Sequence, residues 1–217
     1  MSFRIQLLSG FMILLVACTS SHQNNLKYQI FKYNESAGIT SLDPAFARTT
    51  SNIWAVNQLF NGLVQIDNKL VIQPCIAKSW VITDGGLTYT FHLRNDVYFH
   101  NDGAFPAGKG RKVNAHDFEF SFNRLLDPKI ASPGAWVFGK NTLFKAMDDS
   151  TFVIKLKESF PPFLGLLSMQ YCSVVPQEAI RLYGDDFRNH PVGTGPFRFK
   201  LWKEGVKIGR ASCRERV

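Results

Sequence analysis

The side chains of this sequence that could do chemistry do not fall into catalytic spacings. His116 and Asp117 are neighbours, and adjacent side chains on a helix diverge by about 100°, so they form no ready acid–base pair. Gly193–Pro196 lacks the lysine of a phosphate-binding loop. A GxSxG elbow, an HExxH motif and a CxxC pair are also missing from the sequence. We therefore predict no catalytic residues, no metal site and no cofactor, in a protein that is not an enzyme.

One cysteine, Cys18, does stand in a reactive setting. It follows Arg4 and an apolar run of about ten residues, which is shorter than the roughly 20 residues that span a bilayer and typical of an export signal. Leu15–Cys18 resembles the lipobox of bacterial lipoproteins, in which the thiol carries a diacylglyceryl group. The alternative is a cleaved signal with an incidental cysteine. We predict a signal at 1–17 and a flexible tether at 18–26, with the protein exported and lipid-anchored to the bacterial cell envelope, in the periplasm or at the cell surface.

The other end of the chain, 207–217, has the sequence KIGRASCRERV, without apolar periodicity or continuity with the strand pattern before it. It is similar to a translated sequencing adapter, and we expect it to be foreign to the fold. The formal charge falls from +8 to +4 when the five basic residues and one acidic residue of the signal and this segment are set aside. The remaining basic residues are dispersed, so the composition predicts no nucleic-acid partner.

Cys75 and Cys172 are the two cysteines left for the folded part of the chain. Both lie in apolar stretches and suit small buried side chains. An exported location also permits a disulfide between them. The sequence leaves both alternatives open.

The elements that would carry these residues form a mixed α/β pattern. Apolar alternation or turn signals predict strands at 27–33, 63–66, 70–72, 80–83, 87–94, 151–156 and 197–202. Ser51 is the predicted N-cap of a helix that ends at Gly62. Asn114 with Asp117 predicts a capped helix ending before Asp127. A third helix is predicted from Pro176 to Gly184.

Seven short motifs in this pattern occur in a recognisable order. They are SLDP at 41–44, LFNGLV at 59–64, AKSW at 77–80, DGGLTYTFHLR at 84–94, FH at 99–100 before DG at 102–103, NAHDFEFSFNRLL at 114–126 and GTGPF at 193–197. In this order they resemble the family 5 extracellular solute-binding proteins, over roughly residues 27–206. The resemblance implies the α/β fold of type II periplasmic binding proteins, whose two lobes close on a ligand by hinge motion.

The resemblance also implies a division of the chain. Segments 27–60 and 176–206 would form the sheet subdomain of an incomplete first lobe, and 61–175 would form an extra mixed α/β subdomain. The second lobe would be missing. The stretch 101–112 is longer than the corresponding turn of typical members, and we expect an elaborated surface hairpin there.

The function implied by the resemblance is that of a monomeric binding protein that captures peptides and delivers them to an ABC permease and its ATPase. The loop Phe46–Thr49 (Phe46, Ala47, Arg48 and Thr49) would face the ligand, and Ser132–Trp136 would form a wall of the cleft. Trp136 is either a cleft aromatic or a core residue. Capture of a nickel chelate or another small solute is the alternative within the family. An exported lipoprotein hydrolase is the alternative outside it.

Overall fold

The computed structural model describes residues 38–139, 141–203 and 207–212. The predicted signal 1–17, the tether 18–26 with Cys18 and the predicted strand 27–33 lie outside these residues. From Gly38 onward the described residues belong to one structural unit.

The described residues contain four α-helices and eight β-strands. The helices are α1 (Thr50–Leu59), α2 (Ala115–Leu126), α3 (Phe163–Leu166) and α4 (Gln177–Tyr183). The strands are β1 (Val64–Ile66), β2 (Ile72–Pro74), β3 (Ala77–Thr83), β4 (Thr88–Leu93), β5 (Leu143–Ala146), β6 (Thr151–Lys155), β7 (Phe197–Lys203) and β8 (Lys207–Ser212). Short 3₁₀ turns lie at Pro44–Phe46, Pro106–Gly108, Ala135–Val137, Gln170–Cys172 and Gly184–Arg188. None of the helices in this part of the chain has both the length and the apolar character needed to cross a bilayer.

A four-stranded antiparallel sheet in the order β3-β4-β6-β5 forms the centre of the described chain. The alternation predicted at 87–94 is confirmed, because Tyr89 and Phe91 of β4 are buried while the residues between them are half-buried. The predicted tight turn joins β3 to β4, with positive φ at Asp84 and at the two glycines after it. Tyr89 pairs with Ile154, so one apolar face runs across the sheet.

Helix α2 covers this apolar face. Its predicted capping box is confirmed: the Asn114 side chain accepts from the Asp117 N–H, and the Asp117 carboxylate accepts from the Asn114 N–H. The ring of Phe122 lies 4.8 Å from Phe138 and 5.6 Å from Phe152 between ring centroids. These phenylalanine rings therefore form one aromatic core between helix and sheet.

Three of the sequence motifs meet where α1 ends. The N–H of Gly195 donates to the Leu59 carbonyl at 2.9 Å. A Cβ atom at Gly193 would lie 2.0 Å from the same oxygen, so this close approach requires glycine. The His100 N–H donates to the Gly193 carbonyl at 2.8 Å, and its Nε2 lies 2.9 Å from the Gly195 oxygen.

An ion cluster joins α2 to α4. Arg111 Nη2 lies 2.6 Å from Asp117 Oδ1, and Arg111 Nε lies 2.6 Å from Glu178 Oε1. Hydrogen bonding to Arg111 lowers the pKa of the Glu178 carboxyl. The cluster therefore ties the predicted extra subdomain to the segment that follows it.

The stretch 101–112 folds back onto the body of the protein. Phe105 is buried and stacks on Phe99, with ring centroids 5.9 Å apart. The Tyr183 hydroxyl donates to Asp102 at 2.8 Å. Burial, and then this hydrogen bond, raise the pKa of Tyr183 to about 12. An antiparallel bridge at its base gives the expected hairpin form, although its one aromatic side chain, Phe105, packs inward.

The structure corrects several boundaries. Thr49, and not Ser51, caps α1, because the Thr49 hydroxyl is the one that reaches the Asn52 N–H. The helix ends at Leu59 before Gly62, where the chain turns into β1. Strand β5 and helix α3 were not predicted, since their short apolar runs have no clear period.

The segment after β7 forms a further strand. The backbone of Lys207–Ser212 pairs antiparallel with β7 as β8. This pairing does not test the expectation that the segment is foreign to the fold, because a ladder uses backbone groups that every non-proline residue has. The origin of 207–217 stays a prediction.

Cys75 and Cys172 are both free thiols in this structure, with Cys172 fully buried. Burial raises the pKa of both thiols. Of the two alternatives that the sequence left open, the structure shows the small apolar side chain and not the disulfide.

Candidate functional site

The loop predicted to face the ligand lies between the 3₁₀ turn Pro44–Phe46 and the start of α1. The Asp43 carboxylate caps this turn by accepting from the Ala45 N–H at 2.9 Å. Phe46 is 37% exposed, and Arg48 and Thr49 are exposed as well. The side chain of Ala47 is fully buried. Three of the four predicted residues therefore have accessible side chains, whereas Ala47 offers a ligand no exposed group.

The predicted wall Ser132–Trp136 adjoins this loop. The Ser132 hydroxyl donates at 2.6 Å to the carbonyl of Ala45, the residue just before the predicted loop. A Cβ atom at Gly134 would lie 2.4 Å from the Tyr171 ring, so glycine lets the wall sit close against the neighbouring turn. Trp136 is 61% exposed among the described residues, and its place in the cleft stays a prediction.

Trp136 also lines a cavity of about 460 Å³, within the range typical of small-molecule pockets. Phe163 and Val137 are buried there, whereas Trp136 and Phe160 are exposed at it. The other residues that line the cavity are Gly139, Asn141, Thr142, Leu156, Lys157, Glu158 and Leu166. The cavity thus offers aromatic and aliphatic surface with one cation and one anion among its lining residues.

Sequence reasoning missed the residues that hold the loop from below. Arg124 Nη2 lies 2.6 Å from Asp43 Oδ2, and Nη1 lies 3.1 Å from Oδ1, in a bidentate pair. The side chains of Arg124 and Asp43 are only 10% and 3% exposed. Both lie within motifs quoted for the family, but no local pattern says that residues 81 positions apart pair.

Metal and catalytic sites were not predicted, and the described residues hold no group of three or more His, Cys, Asp or Glu side chains placed to bind a metal ion. His116 and Asp117 do not form a pair. Asp117 binds Arg111, while His116 Nε2 lies 3.9 Å from Asp149.

The mixed α/β fold and its likeness to solved structures define a class of protein, the type II periplasmic binding proteins. Among solved structures, the Helicobacter pylori DppA, an ABC transporter-associated periplasmic binding protein in complex with the peptide STSA, matches with a TM-score of 0.72. The match is 31% identical and covers 83% of this chain and 38% of that one. Campylobacter jejuni NikZ in complex with Ni(L-His) matches with a TM-score of 0.68 at 29% identity, covering 82% and 34%.

The family follows from the sequence match. The model of the bacterial extracellular solute-binding proteins, family 5, matches residues 71–209, and the chain belongs to this family. Among curated proteins, the probable deoxycholate-binding periplasmic protein YgiS of Escherichia coli is 31% identical, over 83% of this chain and 36% of its own length. The chain thus spans about a third of the length of such relatives. The fold and family predicted from the seven motifs are confirmed.

Proposed function

We propose that this chain is part of the substrate-binding component of an ABC importer, which captures peptides outside the cytoplasmic membrane and delivers them to a permease and its ATPase. The observation that carries the proposal is the match of most of the chain to a peptide-bound DppA. The family consists of solute-binding proteins, and in this proposal the protein has no enzymatic activity.

The ligand-facing edge in this proposal comprises Phe46, Arg48 and Thr49, with Trp136 on the neighbouring wall, while Ala47 is held inward. The exposed Arg48 guanidinium suits a carboxylate of the ligand. Trp136 and its cavity suit an apolar side chain.

Attachment to the membrane belongs to the same proposal. Cys18 would carry the lipid, and the polar stretch 18–26 would hold a monomeric binding domain off the membrane surface. A ligand captured outside the cytoplasmic membrane would then stay close to the permease.

A second candidate is a small solute other than a peptide. Two relatives favour it, since NikZ is in complex with Ni(L-His) and YgiS is a probable deoxycholate-binding protein. An exported lipoprotein hydrolase has no comparable support, because the family match describes binding proteins.

Native mass spectrometry of the whole protein, purified from its source organism, separates these candidates. We expect co-purifying peptides that acid releases and tandem mass spectrometry sequences. As a matched control, the variant Trp136→Ala should carry less bound peptide than the variant Trp80→Ala, whose tryptophan lies in the sheet. A metal chelate, a bile acid or a persistently empty protein would refute the peptide assignment.

A further inference from the structure

We propose that the segment 61–175 has a specific role in ligand capture: it holds the loop Asp43–Thr49 in its ligand-ready shape. Three of its side chains, Arg124, Ser132 and Gln170, act as positioning residues, and we call them the brace. The role in capture rests on the proposed function, whereas the holding of the loop is a property of the structure alone.

The brace reaches the loop from three separate places in the chain. Arg124 on α2 binds the Asp43 carboxylate through both of its terminal nitrogens. The Ser132 hydroxyl donates to the Ala45 carbonyl at 2.6 Å. The Gln170 Nε2 donates to the Ala47 carbonyl at 2.7 Å. These partners are 81, 87 and 123 residues apart in sequence, so only the tertiary fold brings them to the loop.

The brace takes hold of every second residue of the loop. Asp43, Ala45 and Ala47 are buried, at 2%, 2% and 0% exposure. Phe46 and Arg48, which lie between and after the held positions, are exposed. Pro44 is buried as well, within the 3₁₀ turn, so the segment 43–45 and Ala47 face inward while Phe46 and Arg48 face outward. The brace therefore decides which side chains a ligand meets.

The hydrogen bonds within the loop are local, and they include one from the Ala45 N–H to the Asp43 carboxylate and one from the Arg48 N–H to the Phe46 carbonyl. Its internal backbone bonds include those of a single 3₁₀ turn, from Phe46 N to the Asp43 oxygen and from Ala47 N to the Pro44 oxygen. The hydroxyl of Ser132 is itself oriented, because it accepts from the Gly134 N–H at 3.0 Å while it donates to Ala45. A buried carbonyl that loses such a donor favours loop conformations that reach water. A loop that samples several shapes binds more weakly, because binding must then order it.

The chain offers a matched control for Ser132. Ser121 is also buried, and its hydroxyl also donates to a backbone carbonyl, that of Asp117 at 2.6 Å, and accepts from a backbone N–H, that of Val175 at 3.0 Å. Its partners lie in and beside α2 rather than in the loop. Ser132→Ala and Ser121→Ala therefore remove similar interactions, and only the first touches the brace.

The test uses the whole protein in three variants, Ser132→Ala, Gln170→Met and Ser121→Ala. Hydrogen exchange of the ligand-free protein reports on amides 45–49, and a mixture of synthetic tripeptides and pentapeptides of random sequence is the binding probe. We expect about fivefold faster exchange in the loop and about fivefold weaker peptide binding for both brace variants, the effect of one lost hydrogen bond. Ser121→Ala should leave both readouts near the wild-type values even if it lowers the melting temperature as much as the brace variants do.

The outcomes separate the two proposals. Equal loop exchange in Ser132→Ala and Ser121→Ala would overturn the brace. Faster loop exchange in the brace variants with unchanged peptide binding would overturn its role in capture. Failure of the wild-type protein to bind the peptide mixture would overturn the peptide assignment, while the exchange comparison, which needs no ligand, still decides whether the brace holds the loop.

Discussion

Replacing Arg124 by methionine tests the most buried ion pair of the described residues. The substitution leaves the Asp43 carboxylate, 3% exposed, without its bidentate partner. An uncompensated buried charge of this kind destabilises a protein by about 3 to 5 kcal/mol. Because a domain is typically stable by about 5 to 15 kcal/mol, the loss is a large share of the total. We expect a clear fall in the urea midpoint of the whole protein with an unchanged m-value.

An exposed pair of the same residue types supplies the control. Arg94 Nη2 lies 2.7 Å from Asp96 Oδ2, almost the same distance as in the buried pair, but the two side chains are 48% and 61% exposed. Arg94→Met should therefore cost less than about 1 kcal/mol. The two variants differ in how much free energy of unfolding they lose, and this difference reports the effect of burial, since the residue types and the distance are matched.

A double variant tests whether the unpaired charge of Asp43 causes the loss of stability. Adding Asp43→Asn to Arg124→Met removes the charge and keeps a residue that caps the 3₁₀ turn well. We expect the double variant to recover part of the lost stability, measured by urea unfolding followed by circular dichroism. Equal costs for Arg124→Met and Arg94→Met, or a double variant less stable than Arg124→Met, would refute the reasoning from burial.

Three further predictions concern other parts of the chain. Glu178→Gln should destabilise the protein near neutral pH. The folded-state pKa of Glu178 is lowered from 4.5. The stability that Glu178 contributes is therefore present above pH 4.5 and is lost as the pH falls through the folded-state pKa, so the melting temperatures of the variant and the wild-type protein should converge in acid. Gly139→Leu should narrow the cavity beside Trp136, since a Cβ atom at Gly139 meets nothing within 4 Å; it should weaken binding of peptides with bulky apolar side chains more than binding of trialanine, and equal effects on both would contradict the role of the cavity. Cys18→Ser should move the protein from the membrane to the soluble fraction, and persistent membrane partitioning would contradict the lipobox interpretation.

Local patterns were enough to predict much of the secondary structure. The β3–β4 hairpin followed from strict alternation beside a glycine turn, and α2 followed from its capping box. These signals depend on residues only a few positions apart, so they predict the element without knowledge of the rest of the fold. The α1 cap was predicted at the wrong residue because Thr49 and Ser51 both carry a hydroxyl, and only the backbone geometry selects one of them.

The residues of the candidate site stay a prediction. The exposed positions of Phe46, Arg48 and Trp136 agree with a ligand-facing surface, and this came from the resemblance rather than from a local signal. Ala47 was placed in the same set, although the structure buries its side chain. A single apolar residue in a loop carries no signal that tells an inward from an outward orientation.

The sequence by itself determined the class of this protein, because the ordered motifs identified the family and the short-range patterns identified most of the elements. Only the tertiary structure decided how the loop Asp43–Thr49 is held. Arg124, Ser132 and Gln170 reach it across 81 to 123 residues, and such pairings depend on which surfaces the folded chain brings together. The physical reason is that a buried carboxylate or carbonyl must find a donor. The sequence contains many possible donors, and the tertiary fold decides which of them lies within hydrogen-bond distance.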